Sequence, residues 1–176
     1  MSIRIEIEKR KTEGALHVLE PLIPGAPHKR VVLANEWLFE ELSGPWEDEA
    51  EELRMGRLWA DLDHFSTGEQ IVVGNRFDDD CHMKRLNPPS AEVWEFLSRW
   101  PSPSIRVFGR FAEVDVLVIT HKWVRKLLGA FGSRTWKREI RRCNAEWTRL
   151  FPAHYPVTGV SVNDYISENV IDRRDL

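Results

Sequence analysis

Three polar residues in the middle of the chain have side chains that can move protons and hold a phosphate group. Glu95, Arg106 and His121 each lie in an apolar segment of the sequence. RNA cleavage without a metal ion requires a group that removes the 2′-hydroxyl proton, a proton donor for the leaving 5′-oxygen, and fixed positive charge beside the phosphate. We therefore take Glu95 and His121 as candidate acid or base groups. Arg106 is the candidate phosphate-binding group, and the site would need no cofactor.

Basic side chains near these three residues are candidates for binding the RNA backbone. They are Arg99, Lys122, Arg125, Lys126 and Lys137. A plainer interpretation is that Glu95 and Arg99 form an ordinary surface ion pair, which adds little stability. Arg110 and Asp115 would form a second pair of this kind. The residue types by themselves leave both interpretations open.

Period-2 alternation of apolar residues predicts the strands that position the candidates. The β-branched and aromatic content favours three strands, over residues 93–100, 105–111 and 114–121. If the last two form a hairpin that turns at Ala112 and Glu113, Arg106 lies opposite Ile119 and diagonal to His121. Diagonal neighbours on one sheet face are roughly 7 Å apart at Cβ, so one phosphate group would meet both side chains.

The charge of the chain is divided between two regions. The 176-residue sequence has a net charge of −3, but residues 36–80 have a net charge of −11 and residues 84–142 a net charge of +8. A basic region of this size is expected of a protein that binds phosphate groups. The alternative is that the two regions neutralise one another in the folded protein.

The remaining elements are predicted from helix caps and apolar spacing. Helices are expected over residues 36–42 and 45–64, a short basic helical turn over 122–129, and a longer helix that Ser133 caps. Apolar residues recur along this last helix at helical spacing, at Trp136, Ile140, Cys143, Trp147 and Leu150. Residues 2–11 alternate isoleucine with charged residues and are predicted to form a strand.

Length and composition indicate one domain with additions at both ends. We assign residues 1–28 to an N-terminal extension, 29–151 to the main domain and 152–176 to a C-terminal tail. Cys81 and Cys143 form no CxxC motif, and neither a membrane-spanning apolar run nor a signal peptide is visible. A cytoplasmic protein with reduced thiols and no membrane partner is expected. The acidic run from Asp78 to His82 reads as a surface loop, because consecutive residues do not converge on one metal ion.

The order of these motifs resembles the RelE/HigB-like toxins, members of the RelE/ParE superfamily found in bacterial type II toxin–antitoxin pairs. The motifs that carry the resemblance are Trp94-Glu95, Arg106 at the start of the next strand, His121-Lys122, and the basic helix entry over residues 135–140. The similarity covers roughly residues 30–150. It implies an α+β fold with two N-terminal helices packed on a twisted antiparallel sheet and a C-terminal helix, here with an N-terminal strand extension.

The resemblance also implies an activity. Members of this family cut messenger RNA, often on the ribosome, and are silenced by an antitoxin protein that covers the site. Carried over, Arg106 would bind the scissile phosphate, and Glu95 and His121 would move protons. The basic residues after His121 would steer the RNA. The family often has an arginine two residues after its glutamate, where this chain has Leu97, so Arg99 would have to supply that charge.

Two other functions are compatible with the same sequence. The chain can be a binding protein that keeps the fold without catalysis, including a ParE-like toxin directed at a topoisomerase. It can also be an accessory protein of a phage or mobile element with no enzymatic activity. The acidic helices and the proline-rich segment over residues 19–27 suit protein binding in either case.

Overall fold

Eight strands in one sheet and five helices make up the fold of residues 2–174, the part of the chain that the computed structural model describes. The strands are β1 (Leu16–Val18), β2 (Val31–Asn35), β3 (Ile71–Gly74), β4 (Met83–Arg85), β5 (Trp94–Ser98), β6 (Ile105–Glu113), β7 (Val116–Val124) and β8 (Val170–Arg173). The helices are α1 (Ile3–Thr12), α2 (Glu36–Ser43), α3 (Glu49–Ser66), α4 (Arg125–Leu128) and α5 (Arg134–Leu150). The predicted α+β class is confirmed.

The sheet is mixed, with the strand order β1-β2-β7-β6-β5-β4-β3-β8. Strands β4 to β7 are antiparallel to their neighbours in that series. In contrast, β2 runs parallel to β7, and β3 runs parallel to both β4 and β8. The prediction of a purely antiparallel sheet is therefore wrong. Parallel pairs require long crossover connections, and α2 and α3 lie in the long connection between β2 and β7.

The strand predicted over residues 2–11 is also wrong, because residues 3–12 form α1, and the strand of the N-terminal extension is β1 instead. Ile3 and Ile7, one helical turn apart, pack against an apolar cluster, whereas Ile5 is 57% exposed. An ion pair of 2.6 Å joins Glu6 to Arg10 at the i,i+4 spacing that supports a helix. Three alternating isoleucines are too few to distinguish a strand from a helix that buries two of them.

Helices cover both faces of the sheet, and their caps follow the sequence. Asn35 accepts a hydrogen bond from the Leu38 amide and Ser133 accepts one from Trp136, as the predicted ends of α2 and α5 require. Helix α3 begins at Glu49 rather than residue 45, because Asp48 caps it. Helices α2 and α3 share one apolar cluster with the sheet, and α5 shares others on the opposite face. All five residues of the predicted α5 stripe are buried.

The β6–β7 hairpin has a different register from the predicted one. Arg106 lies opposite Trp123 and Phe108 opposite His121, and the turn is at Val114 and Asp115. Asp115 has the left-handed φ of 64°, which aspartate tolerates better than most residues. Arg106 and His121 nevertheless remain diagonal neighbours. Strand β7 continues through Val124, so the predicted basic helical turn begins only with α4.

The predicted surface pair between Arg110 and Asp115 is not formed. Arg110 is 9% exposed and donates to the backbone oxygen of Ala91 at 2.7 Å. Asp115 accepts hydrogen bonds from the amide and hydroxyl of Ser167. The register shift moves the two side chains into different environments.

The chain segments at both ends contribute to the packed core. Helix α1 and strand β1 pack with Leu33 and Trp147 in one apolar cluster. Near the other end, Val162, Tyr165 and Ile166 pack with the residues beneath α2 and α3, and β8 extends the sheet beside β3. The C-terminal tail therefore packs on the body of the protein.

Candidate functional site

Four residues on neighbouring strands form a row across the sheet face beneath α5. Lys84 on β4 pairs with Glu95 on β5, Glu95 pairs with Phe108 on β6, and Phe108 pairs with His121 on β7. Adjacent strands are about 4.8 Å apart, which places Glu95 and His121 about 10 Å from each other. The Phe108 ring lies between them and contacts Trp136 of α5, with the ring centroids 5.8 Å apart. We call this set the Lys84–His121 row.

Glu95 is a completely buried carboxylate, 0% exposed. Its Oε2 atom lies 3.4 Å from Arg106 Nε, but neither carboxylate oxygen has a hydrogen-bond partner among the described residues. Burial raises the pKa of Glu95 to about 7, while the positive charges of Arg106, Lys84 and Arg125 oppose this rise. A carboxyl group with this pKa is divided between its two protonation states at neutral pH.

A cavity of about 640 Å³ lies between the sheet and the first half of α5, and Glu95 lines it. Its basic lining residues are Arg76, Lys84, Arg85, Lys137 and Arg141. Its apolar lining residues are Leu86, Pro88, Ala91, Phe131, Trp136 and Ile140. Glu95 is the one acidic residue in the lining, among the residues that the structure describes. The cavity is therefore suited to an anionic ligand with an apolar part.

Lys84 is the cation placed beside Glu95 by strand pairing. It is 1% exposed, and its ammonium lies 3.3 Å from Asp79 Oδ1 and 5.3 Å from the ring centroid of Phe131. Paired residues on antiparallel strands have Cβ atoms about 5 Å apart, so Lys84 and Glu95 face the cavity together. Lysine at this position supplies a buried N–H donor next to a proton acceptor.

Arg106 is beside Glu95, but it does not line the cavity. The residue is 3% exposed, and its Nη1 donates to Ser104 Oγ at 2.7 Å. Its guanidinium therefore lies next to the Glu95 carboxylate and outside the cavity lining. Arg106 partly neutralises the charge of Glu95.

His121 is on the far side of Phe108 from Glu95. It is 5% exposed, and its ring stacks on Phe108 with centroids 4.7 Å apart and an interplanar angle of 1°. Its Nε2 atom lies 3.3 Å from Glu139 Oε2, and its Nδ1 lies 2.9 Å from Thr120 Oγ1. Burial, reinforced by the charge of Arg142, lowers the pKa of His121 to about 3. The imidazole is neutral at pH 7 and lines two smaller cavities.

Two predicted RNA-binding residues are engaged with acidic partners away from the large cavity. Arg99 donates to the Asp80 carboxylate at 2.9 Å. Lys122 forms an ion pair of 2.6 Å with Glu41 of α2. The structure thus does not bring Arg99 together with Glu95, and the predicted Glu95–Arg99 pair is replaced by the contact between Glu95 and Arg106.

The other three predicted RNA-binding residues lie around α4 and the start of α5. Arg125 donates to the Gly129 backbone oxygen at 3.0 Å and sits over the Phe131 ring at 5.1 Å. Lys126 is exposed. Lys137 is exposed and lines the cavity that contains Glu95. Of the five predicted residues, Lys137 alone is a lining residue of this cavity.

Sequence reasoning missed the basic residues contributed by β4 and its surroundings. Arg76, Lys84, Arg85 and Arg141 were counted in the overall charge and were not assigned to the site. The available signal was the short alternation of Met83-Lys84-Arg85, with Met83 buried in the core. A strand of three residues gives too short a pattern to identify its neighbour in the sheet.

Comparisons with known proteins find no significant similarity: no family model matches the chain, and no match appears among curated proteins or among solved structures. In residues 2–174, no helix combines the length and the apolar character needed to cross a membrane. The same residues include no group of three or more His, Cys, Asp or Glu side chains arranged to hold a metal ion.

Proposed function

We propose that this protein is an endoribonuclease that cleaves messenger RNA with the acid–base groups of its own side chains. Glu95 is the group that removes the 2′-hydroxyl proton. The observation that carries the proposal is the buried Glu95 carboxylate, which has no hydrogen-bond partner among the described residues and lies in a cavity whose other charged lining residues are all basic. Burial raises its pKa to about 7. Perturbed carboxylates in such cavities are typical of proton-transfer sites.

The residues of the cavity fit the chemistry of RNA cleavage. Ionised Glu95 takes the proton of the 2′-hydroxyl, the 2′-oxygen attacks phosphorus, and the bond from phosphorus to the 5′-oxygen breaks. Lys84 stabilises the charge on the pentacovalent phosphate and is the N–H donor next to the leaving oxygen. The products are a 2′,3′-cyclic phosphate and a free 5′-hydroxyl, and no external oxidant or reductant is required.

The size and lining of the cavity fit a nucleotide. Small-molecule sites have volumes of about 300 to 1,000 Å³, and this cavity falls within that range at about 640 Å³. Its apolar walls suit a nucleobase, and exposed Lys137 and Arg141 at the α5 side suit the flanking phosphates. RNA recognition commonly inserts single unstacked bases in this way.

The element order of residues 31–150 supports relationship to the RelE/ParE superfamily, which we include in the proposal. A strand, two helices, three antiparallel strands, a short basic helix and a long helix follow one another, with β3 and β4 added between. The implied partners are messenger RNA on the ribosome and an antitoxin protein that covers the cavity. Under this proposal His121 supports the sheet face and does not transfer protons.

The direct test is cleavage of a labelled RNA by the purified protein, with a chelator present and absent. We expect fragments that end in a 2′,3′-cyclic phosphate, with naked RNA or with RNA on ribosomes. Intact RNA in both assays would contradict the proposal. Growth arrest on expression with intact messenger RNA would instead favour the topoisomerase-directed alternative.

A further inference from the structure

An acidic loop lies against Lys84, which lines the Glu95 cavity, and against Arg106, which is next to Glu95. Residues 75–82 connect β3 to β4, and the Asp79 side chain in this loop is 77% exposed. Its Oδ1 atom lies 3.3 Å from Lys84 Nζ and 4.0 Å from Arg106 Nη2. Both cations are almost completely buried. A single exposed carboxylate therefore faces two buried positive charges.

We propose that Asp79 occupies the position at which a substrate phosphate binds, so that the phosphate must displace it. This inference rests on the proposed function of the same cavity. Carboxylate and phosphate oxygens accept hydrogen bonds from the same lysine and arginine donors, so the contacts of Asp79 mark an anion position. A phosphate at this position would touch Lys84 and Arg106 together and lie next to Glu95.

The contacts of Arg106 explain why Asp79 is the group that leaves. The guanidinium faces the carboxylates of Glu95 and Asp79. Glu95 is completely buried and is fixed by the strand pairing of β5. Asp79 belongs to a loop and its side chain is 77% exposed. Moving this side chain away therefore exposes little buried surface of Asp79 itself. Displacement of Asp79 would leave the Nη2 atom of Arg106 free to meet a ligand oxygen.

The loop is anchored on both sides of Asp79, which confines the movement to a short segment. Asp78 forms an ion pair of 2.8 Å with Arg173 of β8. Arg99 donates to the backbone oxygen of Asp79 at 2.8 Å and to the Asp80 carboxylate at 2.9 Å. Cys81 is 2% exposed. Rotation of the Asp79 side chain about its own bonds is enough to vacate the anion position while these anchors remain.

The test compares Asp79→Asn with Asp80→Asn in binding to uridine 3′-monophosphate, measured by calorimetry at pH 7 and low salt. Both variants lose one negative charge from the same loop, but the Asp80 side chain is 84% exposed and pairs with Arg99. Removal of an exposed competing carboxylate should strengthen nucleotide binding about fivefold for Asp79→Asn. Asp80→Asn should stay within about twofold of the wild-type protein, and the difference should shrink in high salt.

Two results overturn the inference: unchanged or weaker binding by Asp79→Asn, or an equal gain in both variants, which would reveal a general charge effect. RNA cleavage by the same proteins separates this failure from failure of the proposed function. If only the displacement of Asp79 is wrong, the wild-type protein still cleaves RNA, and the two variants show no difference in nucleotide affinity. If the proposed function is wrong, RNA remains intact with the wild-type protein and with Asp79→Asn.

Discussion

Glu95 and His121, in the Lys84–His121 row, have similar positions in the fold, but their pKa values are shifted in opposite directions. Both residues lie beneath α5, both are at most 5% exposed, and both flank Phe108. Yet the pKa of Glu95 is raised to about 7, and the pKa of His121 is lowered to about 3. At pH 7 the carboxyl group is divided between its two protonation states, whereas the imidazole is neutral.

The contrast arises because burial acts on an acid at one end of the row and on a base at the other. Burial favours the neutral form of each group, which raises a carboxyl pKa and lowers an imidazole pKa. Nearby cations lower both. The cations near Glu95 therefore offset part of the rise in its pKa, whereas Arg142 lowers the pKa of His121 further. A buried carboxylate in a basic region is thus better suited to proton transfer at neutral pH than a buried histidine.

The largest expected effect is on RNA cleavage by variants at the two ends. Glu95→Gln keeps the size of the side chain and removes the proton acceptor, so kcat/KM should fall about a hundredfold or more. His121→Gln should change kcat/KM less than about threefold, because His121 lies outside the large cavity. Circular dichroism of both variants checks that each is folded. A larger loss in His121→Gln would reverse the assignment.

The second expected effect is on the free energy of unfolding. The contributions of Glu95 and His121 to this free energy should change with pH in opposite directions. Glu95 has a folded pKa above its usual 4.5, so the stability that it contributes is complete below that value and is lost as pH rises through about 7. The wild-type free energy of unfolding, relative to Glu95→Gln, should fall by about 2 kcal/mol from pH 5 to pH 8.

His121 should show the reverse dependence. Its folded pKa lies below its usual 6.5, so its contribution is complete above that value and is lost as pH falls toward 3. Relative to His121→Gln, the wild-type protein should lose about 2 kcal/mol between pH 7 and pH 5. Denaturant titrations across this range measure both slopes. If the free-energy differences for Glu95→Gln and His121→Gln change with pH in the same direction, burial does not shift the two pKa values in opposite directions.

A smaller effect should distinguish the lysines at the two ends. Lys84 lines the Glu95 cavity, whereas Lys122 pairs with Glu41 beside His121. Lys84→Met should weaken binding of uridine 3′-monophosphate about tenfold, since it removes a buried charge-assisted donor. Lys122→Met is the matched control and should weaken it less than about twofold. Equal losses of affinity in the two variants would mean that Lys84 does not bind the phosphate specifically.

The parts of the fold that depend on local patterns were predictable, and those that depend on long-range pairing were not. The α5 stripe and its Ser133 cap follow from spacing along one helix. The diagonal placement of Arg106 and His121 was anticipated from the alternation of their strands. The position of Phe108 between Glu95 and His121 was not, because it depends on the hairpin register, and two irregularities in the β6–β7 pairing and the left-handed Asp115 shift that register.

Burial was the second property that the sequence did not reveal. Polar residues on the outer face of a hairpin read as exposed, and the face becomes interior only because α5 packs over it. That packing creates the cavity and shifts the pKa values of Glu95 and His121. The role of Lys84 was missed for a related reason, since its strand is only three residues long.

The pH dependence of kcat/KM for RNA cleavage tests the central claim most directly. If ionised Glu95 removes the 2′-hydroxyl proton, the rate should rise with pH, with a midpoint near 7. The same midpoint should persist in His121→Gln and disappear from the residual activity of Glu95→Gln. A midpoint that persists in Glu95→Gln, or one that vanishes in His121→Gln, would contradict the assignment of proton transfer to Glu95.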